Sequence, residues 1–194
     1  GILMSLYTIA LFVHISGVIG YFISSGTWLL GLSILRRARN VEQVRTVASL
    51  TAQAGPVSGV SLLFLLMSGL YMAVSAWGFT PGWIIVALVS LVLIAPSSAA
   101  LIEPRRRAIA RLAQETPDGP IPEALERLTH NPVLRIAVQT LAILLLGIVF
   151  LMSTKPDLVG SLIVVTVALV VGLGSSLLLL ALPRKPLVAV PVNQ

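Results

Sequence analysis

His14 lies inside an apolar segment, and its imidazole side chain could take part in chemistry there. It lies in the stretch LFVHISGVIGYFISSGTWLLGL, which contains no Asp, Glu, Lys or Arg. A neutral imidazole in such surroundings needs a hydrogen bond or a metal, since an unmet polar group in hydrocarbon costs several kcal/mol. Three interpretations of His14 are open: a structural histidine hydrogen-bonded to Ser or Tyr of another helix, an axial ligand of a haem iron, or part of a metal or quinone site.

A haem iron bound by His14 would have few candidates for its second axial position. The other histidine, His130, lies just before a different apolar segment, at the opposite side of the membrane. At about 1.5 Å per residue the depths of the two histidines differ by at least ~20 Å, which makes ligation of one iron by both untenable. Met72 falls at about the depth of His14, near the end of the second apolar segment. The candidate cofactor-binding residues are therefore His14 and Met72, with haem as the candidate cofactor.

The sequence lacks the residues that other kinds of redox, catalytic or ion-transport sites require. The chain has no cysteine, which excludes disulfides, thiolate metal sites, iron–sulfur clusters and covalently attached c-type haem. No nucleophile–base pair, phosphate-binding glycine loop or pair of carboxylates is recognisable, so we predict no catalytic residues and do not expect an enzyme. Ion-coupled transporters rely on charged groups inside the membrane, and the nearest such group, Glu103, lies only at the rim of an apolar segment. A transporter is therefore disfavoured.

Composition assigns the chain to the membrane proteins. It is 57% hydrophobic and 10% charged, whereas soluble domains carry about 25% charged residues, and its mean hydropathy is +1.00. About 20 apolar residues cross the hydrocarbon core, and five segments are long enough to do so. The predicted fold is an all-α membrane bundle in residues 1–182 with a Pro-rich tail at 183–194. Its predicted spans are residues 5–35, 57–77, 83–102, 133–153 and 158–182.

Basic residues predict the direction in which the bundle crosses the membrane. All 13 Lys and Arg residues except Lys155 lie in or beside the links that join spans one to two and three to four, or follow span five. Since Lys and Arg accumulate on the cytoplasmic side, we expect the N-terminus outside and the C-terminus in the cytoplasm. No basic residue precedes the first apolar segment, so we interpret it as a span rather than a signal peptide. The positive charge is thus a topology signal, and no nucleic-acid partner is expected.

The arginine-rich links are expected to be partly helical. RRARNVEQVRTVASLT contains no helix breaker before Gly55 and Pro56, so we expect it to continue the first helix beyond the membrane. Pro104 should open a short helix over RRRAIARLAQE at the membrane surface, and Pro122 should open another over PEALERLTH. Arginines in these links could attract anionic lipid, but we favour simple positive-inside anchoring as their explanation.

Small residues predict close packing of the first helix. Gly17, Gly20, Ser24 and Gly31 share its polar side with His14, whereas the opposite side carries Ile, Leu and Phe. Small side chains allow helices to approach closely in lipid, where packing rather than water exclusion drives association. We therefore expect this side, together with Gly69 of the second span, to pack against other helices.

The sequence resembles domain-of-unknown-function family 2269, whose members are predicted bacterial inner-membrane proteins. That family has an LH-x-x-G pattern in its first helix, Gly-Leu-Tyr near the end of the second, Gly-Trp at the start of the third and Pro near its end. The corresponding residues here are His14 with Gly17, Gly69-Leu70-Tyr71, Gly82-Trp83 and Pro96. The resemblance covers about the first 115 residues closely and the last two spans by topology alone. It implies a multi-pass protein of the bacterial inner membrane, without an assigned activity.

More distantly, the first helix is similar to copper-resistance CopD-like proteins and to the haem-linked protoporphyrinogen oxidase membrane family. In the latter a first-helix histidine is thought to hold haem, a role that the resemblance would give to His14 alone. This chain departs from that pattern, since it has no second intramembrane histidine and no lysine within a span. Our leading hypothesis is a structural or accessory subunit that packs in the lipid bilayer, within itself and against other membrane subunits or a second copy. The alternative is a haem-binding redox protein that uses His14.

Overall fold

The protein is described here by a computed structural model, which covers residues 2–181. Within that range the chain is helical, and five of its helices are long and apolar enough to cross a membrane, as predicted. The helices are α1 (Ile2–Leu35), α2 (Val41–Met72), α3 (Gly82–Leu101), α4 (Glu103–Glu115), α5 (Glu123–Thr129), α6 (Pro132–Thr154) and α7 (Leu158–Ala181), with a π-helical turn at Ala73–Trp77. The predicted tail at 183–194 lies outside the described residues.

The link between α1 and α2 differs from the prediction that the first helix continues beyond the membrane. The first helix ends at Leu35, and a new helix begins at Val41. Asn40 has an extended backbone, with φ −142° and ψ 165°, and its side chain accepts a hydrogen bond from the Gln43 backbone N–H. Asn is among the residues that satisfy the free N–H groups at a helix start. The prediction was wrong because it treated Asn40 as an ordinary helix residue.

Pro56 also behaves differently from the prediction that a helix would end there. It lies inside α2, which continues without a break from Val41 to Met72. Proline removes one backbone hydrogen bond from a helix, but packing of neighbouring helices tolerates that loss in membrane spans. The second membrane helix is consequently longer than the predicted span 57–77 by the turns that precede it.

The two ends of the bundle differ in their residues. We call the end where α1 begins, and where residues 78–81 and 155–157 join helices, the Lys155 end. The opposite end contains the α1–α2 link, α4 and α5, and we call it the arginine-rich end. Between them, one side of α1 exposes large apolar side chains such as Phe12, Ile23 and Leu30, as expected of a surface in contact with lipid.

Two long-range pairings organise the bundle. Helix α1 packs mainly on α2 and helix α6 on α7, while α3 packs on α6 and α7, and the two pairs meet where α1 contacts α6. A middle cluster of buried residues includes Ile94 and Leu151, which are almost inaccessible to solvent. A second cluster at the arginine-rich end includes Val41, Val44 and Leu125, each with no exposed surface.

Polar contacts tie the links at the arginine-rich end to each other. The Val41 N–H donates to the Gly119 carbonyl at 2.9 Å, beside an isolated bridge between Asn40 and Pro120. The Arg45 guanidinium pairs with Asp118 at 2.8 Å and also donates to the Ala113 carbonyl in the last turn of α4 and to the Thr116 carbonyl after it. These contacts join residues at least 68 positions apart in the sequence, so the α1–α2 link and the α4–α5 link form one structural unit.

Candidate functional site

His14 lies on the side of α1 that faces α2. Its Nδ1 atom is 3.2 Å from the Ser68 hydroxyl oxygen. The helical period thus places the histidine toward the bundle, where a serine of another helix meets it. This contact is the one that a structural histidine was expected to make.

Gly69 allows the His14 ring to approach α2. A Cβ atom added at Gly69 would lie 3.3 Å from Cε1 of the imidazole, which is tighter than an ordinary side-chain contact. Any larger side chain at this position would therefore displace the ring. Gly69, predicted as a packing residue, has the histidine itself as its neighbour in the structure.

The hydrogen bonds of Ser68 determine which nitrogen of His14 carries the proton. The Ser68 hydroxyl donates its single hydrogen to the Phe64 carbonyl, one turn earlier in α2. Its oxygen then accepts, which assigns the proton of the neutral His14 ring to Nδ1. The opposite ring nitrogen, Nε2, consequently carries a lone pair that can accept a hydrogen bond or bind a metal. A histidine ligand held by a hydrogen bond at its other nitrogen is the usual arrangement at metal sites.

A cavity of about 500 Å³ opens beside His14, between α1, α2, α3 and α6 at the Lys155 end. Its volume is within the range of about 300–1,000 Å³ typical of sites for small molecules. Aliphatic side chains from α3 and α6, among them Ala87, Leu91 and Ile148, form the wall that faces α1 and α2. The few polar groups of the lining are therefore the ones that could orient a ligand.

Methionine thioethers line two sides of the cavity. Met72, the predicted partner of His14, belongs to the lining, and Met152 of α6 is a second thioether there. Met152 was not among the residues predicted from the sequence. Its depth near the end of α6 matched that of Met72, which was the available signal, but nothing in the sequence placed α6 beside α1.

His130 is far from this cavity, as predicted. It caps α5 at the arginine-rich end, and its Nδ1 is 2.9 Å from the Glu126 carbonyl. The two histidines thus lie toward opposite ends of the bundle. Within residues 2–181, His, Asp and Glu side chains form no group of three or more that could hold a metal ion.

Aromatic and cationic side chains surround the mouth of the cavity. Trp77 and Trp83 meet edge to face with ring centroids 5.5 Å apart, and the Trp77 indole N–H is 3.4 Å from the Tyr7 hydroxyl. The Lys155 ammonium lies 4.2 Å from the Trp77 centroid and 5.8 Å from that of Trp83. A positive charge is therefore held above the two indole rings where the cavity opens. In the sequence, Lys155 stood out only as the exception to the distribution of basic residues.

The small residues of α1 lie against α2. A Cβ atom at Gly17 would lie 3.0 Å from the Ser61 carbonyl oxygen, and one at Gly31 would lie 2.3 Å from a methyl carbon of Thr51. Gly20 similarly faces the Ser61 hydroxyl, and the Ser24 hydroxyl donates to the Ala54 carbonyl at 2.7 Å. These positions are taken by contacts within the chain, so they are not a free surface for another protein.

Comparison with known proteins gives one family. The family model "Predicted integral membrane protein (DUF2269)" matches residues 8–156, which reach from α1 to the α6–α7 connection and include the whole lining of the cavity apart from Tyr7. The match extends well beyond the first 115 residues that carried the sequence resemblance. No curated protein and no solved structure matches the chain.

Proposed function

We propose that this chain, which belongs to the DUF2269 family of predicted integral membrane proteins, holds a haem in the cavity at its Lys155 end, with Nε2 of His14 as an axial ligand. The observation that carries the proposal is the state of the imidazole. Ser68 occupies Nδ1, which leaves the lone pair of Nε2 on a ring that lines an apolar cavity.

The residues of the cavity fit a flat apolar ligand that carries a metal. A lone pair beside apolar walls is costly unless it is satisfied, and binding of iron would satisfy it. Gly69 leaves room for the ring, Ser68 fixes its tautomer, and Ala87 and Leu91 offer smooth apolar contact. Met72 and Met152 are thioethers of the same lining, of the type that completes His/Met ligation. Bound haem would supply one-electron exchange, and the chain would hold it and exclude water.

Absorption spectroscopy tests this proposal. We expect the detergent-purified protein, supplied with haem, to show a Soret band that His14→Ala abolishes. His130→Ala is the matched control, because that histidine lies at the other end of the bundle, and it should leave the band unchanged. Ser68→Ala should weaken haem binding, since it removes the group that orients the ring. A protein that binds no haem, or whose Soret band survives His14→Ala, would refute the proposal.

The proposed setting is the bacterial inner membrane with the arginine-rich end in the cytoplasm. The distribution of Lys and Arg supports this orientation, since α4, α5 and the α1–α2 link are all at the same end of the bundle. The cavity and Lys155 would then open toward the outer side.

A second candidate function is an accessory subunit, and open glycines of α2 favour it. Gly55 and Gly59 are spaced as in close-packed membrane helix pairs, and a Cβ added at either one meets no atom within 4 Å. Because the chain has no cysteine, a Gly59→Cys variant reports self-association directly through disulfide crosslinking in membranes. Gly174→Cys on α7, another open position, is the matched control. Crosslinking of neither variant, or of both equally, would contradict self-association through α2.

A further inference from the structure

Lys155 is placed at the cavity mouth by an unfavourable backbone conformation. It follows the last turn of α6, where its N–H donates to the Leu151 carbonyl, and its backbone is left-handed with φ 49° and ψ 53°. Within residues 2–181, it is the one residue other than glycine with a positive φ. Glycine is the usual residue at this position of a helix end because its missing Cβ removes the strain. A lysine here therefore retains a side chain at a structural cost, and such strain is typical of functional positions.

The Lys155 ammonium has aromatic partners and no anionic one. Among the described residues, the ion pairs all lie at the arginine-rich end and none includes Lys155. The nearest acid in sequence, Asp157, accepts a hydrogen bond from the Gly160 N–H at 2.8 Å and so caps the start of α7. The indole rings of Trp77 and Trp83 hold the ammonium by cation–π attraction. A cation that forms no ion pair among the described residues, above an apolar cavity, is suited to bind an anion attached to an apolar body.

We infer that the cavity selects ligands that carry a carboxylate, and that Lys155 binds this carboxylate at the mouth while the apolar body of the ligand lies below it. The inference rests on the proposed function, because a haem carries carboxylates on its edge, and it adds the group that orients the ligand. Tyr7 is at the same mouth, where its hydroxyl accepts from the Trp77 indole N–H and keeps its own hydrogen to donate to the same anion. His14 and Lys155 then bind the two chemically different parts of one ligand.

Metal-free protoporphyrin IX and its dimethyl ester test the inference without relying on iron. We expect the purified protein to bind the free acid about tenfold or more tightly than the ester, the difference that a charge-assisted hydrogen bond contributes. Lys155→Gln should remove this preference and Lys155→Arg should retain it. Binding is measured by energy transfer from tryptophan to the porphyrin, since two of the three tryptophans, Trp77 and Trp83, line the cavity. Equal affinities for acid and ester in the unaltered protein, or a preference that survives Lys155→Gln, would overturn the inference, as would the absence of binding.

Lys155→Gly separates binding from folding. Glycine relieves the left-handed backbone, so this variant should unfold no more easily than the unaltered protein while it loses the preference for the acid. A Lys155→Gly protein that keeps the preference would also overturn the inference. Haem titration of the unaltered protein and His14→Ala distinguishes the two proposals. If the acid preference depends on Lys155 but the Soret band does not depend on His14, iron ligation is wrong and the carboxylate site stands.

Discussion

Gly31→Ala should destabilise the bundle, whereas Gly26→Ala on the same helix should not. An added Cβ at Gly31 would lie 2.3 Å from the Cγ2 methyl of Thr51, and one at Gly26 meets nothing within 4 Å. Thr51 is 2% exposed, and its hydroxyl donates to the Val47 and Ala48 carbonyls, so its side chain has little freedom to rotate away. The two alanine substitutions therefore differ in packing while their chemistry is the same.

The expected difference follows from opposing contributions to the free energy of unfolding. Alanine in place of glycine favours a helix by roughly 0.5–1 kcal/mol, and this gain applies to both variants. Carbon atoms in contact normally lie about 3.5–4.0 Å apart, so α1 and α2 must separate by about 1 Å at Gly31 to admit the new methyl group. Overpacking of this kind typically costs about 1–3 kcal/mol. Gly31→Ala should thus be less stable than Gly26→Ala by about that amount.

A second substitution identifies Thr51 as the cause. Thr51→Ser removes the methyl group and keeps the hydroxyl that binds the backbone carbonyls, so the Gly31→Ala/Thr51→Ser double variant should recover most of the lost stability. Reversible unfolding of the purified protein in mixed detergent micelles measures all four proteins. If Gly31→Ala and Gly26→Ala have the same stability, or if Thr51→Ser rescues nothing, the proposed contact between α1 and α2 is not the one that limits side-chain size.

Three further predictions concern the ends of the bundle. A reporter fused after Gln194 should be active in the cytoplasm and one inserted at residues 78–81 should not, and the reverse pattern would refute the proposed orientation. Gly82→Ala should lower the melting temperature, because its Cβ would lie 2.5 Å from the Cα atom of the first residue of α7; an unchanged melting temperature would show that the helices separate freely there. Arg106→Gln should destabilise by about 1–3 kcal/mol because the guanidinium is only 17% exposed and binds a carboxylate and an indole ring. Arg111→Gln, which breaks an exposed ion pair, should change stability by less than about 1 kcal/mol, and equal effects of the two substitutions would contradict the distinction.

The five apolar helices could be predicted from the sequence, because length and hydropathy determine which segments can cross a membrane. The start of α2 could not be predicted in this way. It depends on the capping interaction of Asn40, and Asn40 is overlooked when only Gly and Pro are counted as helix breakers. Pro56 was wrongly interpreted as a helix breaker, although it lies inside α2. Its cost is local, whereas the packing of α2 on α1 and α4, which keeps the helix continuous, comes from distant parts of the chain.

Only those features of the candidate site that depend on a single helix could be predicted from the sequence. The period of α1 was sufficient to direct His14 toward the other helices, and Ser68 meets it there. The cavity needs the relative positions of α1, α2, α3 and α6, which hydropathy does not contain. Met152 and Lys155 therefore went unrecognised, although both are plain in the sequence, and the role of Ser68 in fixing the tautomer could be seen only from its bond to Phe64.

The ties among the links at the arginine-rich end have a consequence for how a ligand could reach the cavity. Hydrogen bonds and an ion pair between the α1–α2 link and the residues after α4 hold that end of the bundle together, whereas at the Lys155 end the connections at 78–81 and 155–157 are short and meet without an ion pair among the described residues. Local opening occurs where the fewest contacts must break. The helices should therefore move apart at the Lys155 end while the fastened end acts as the hinge. Amide hydrogen exchange should then be fast in the last turns of α2 and α6 and slow around Val41 and Leu125. The ligand would thus enter at one end of these helices, and the other end would keep the fold rigid.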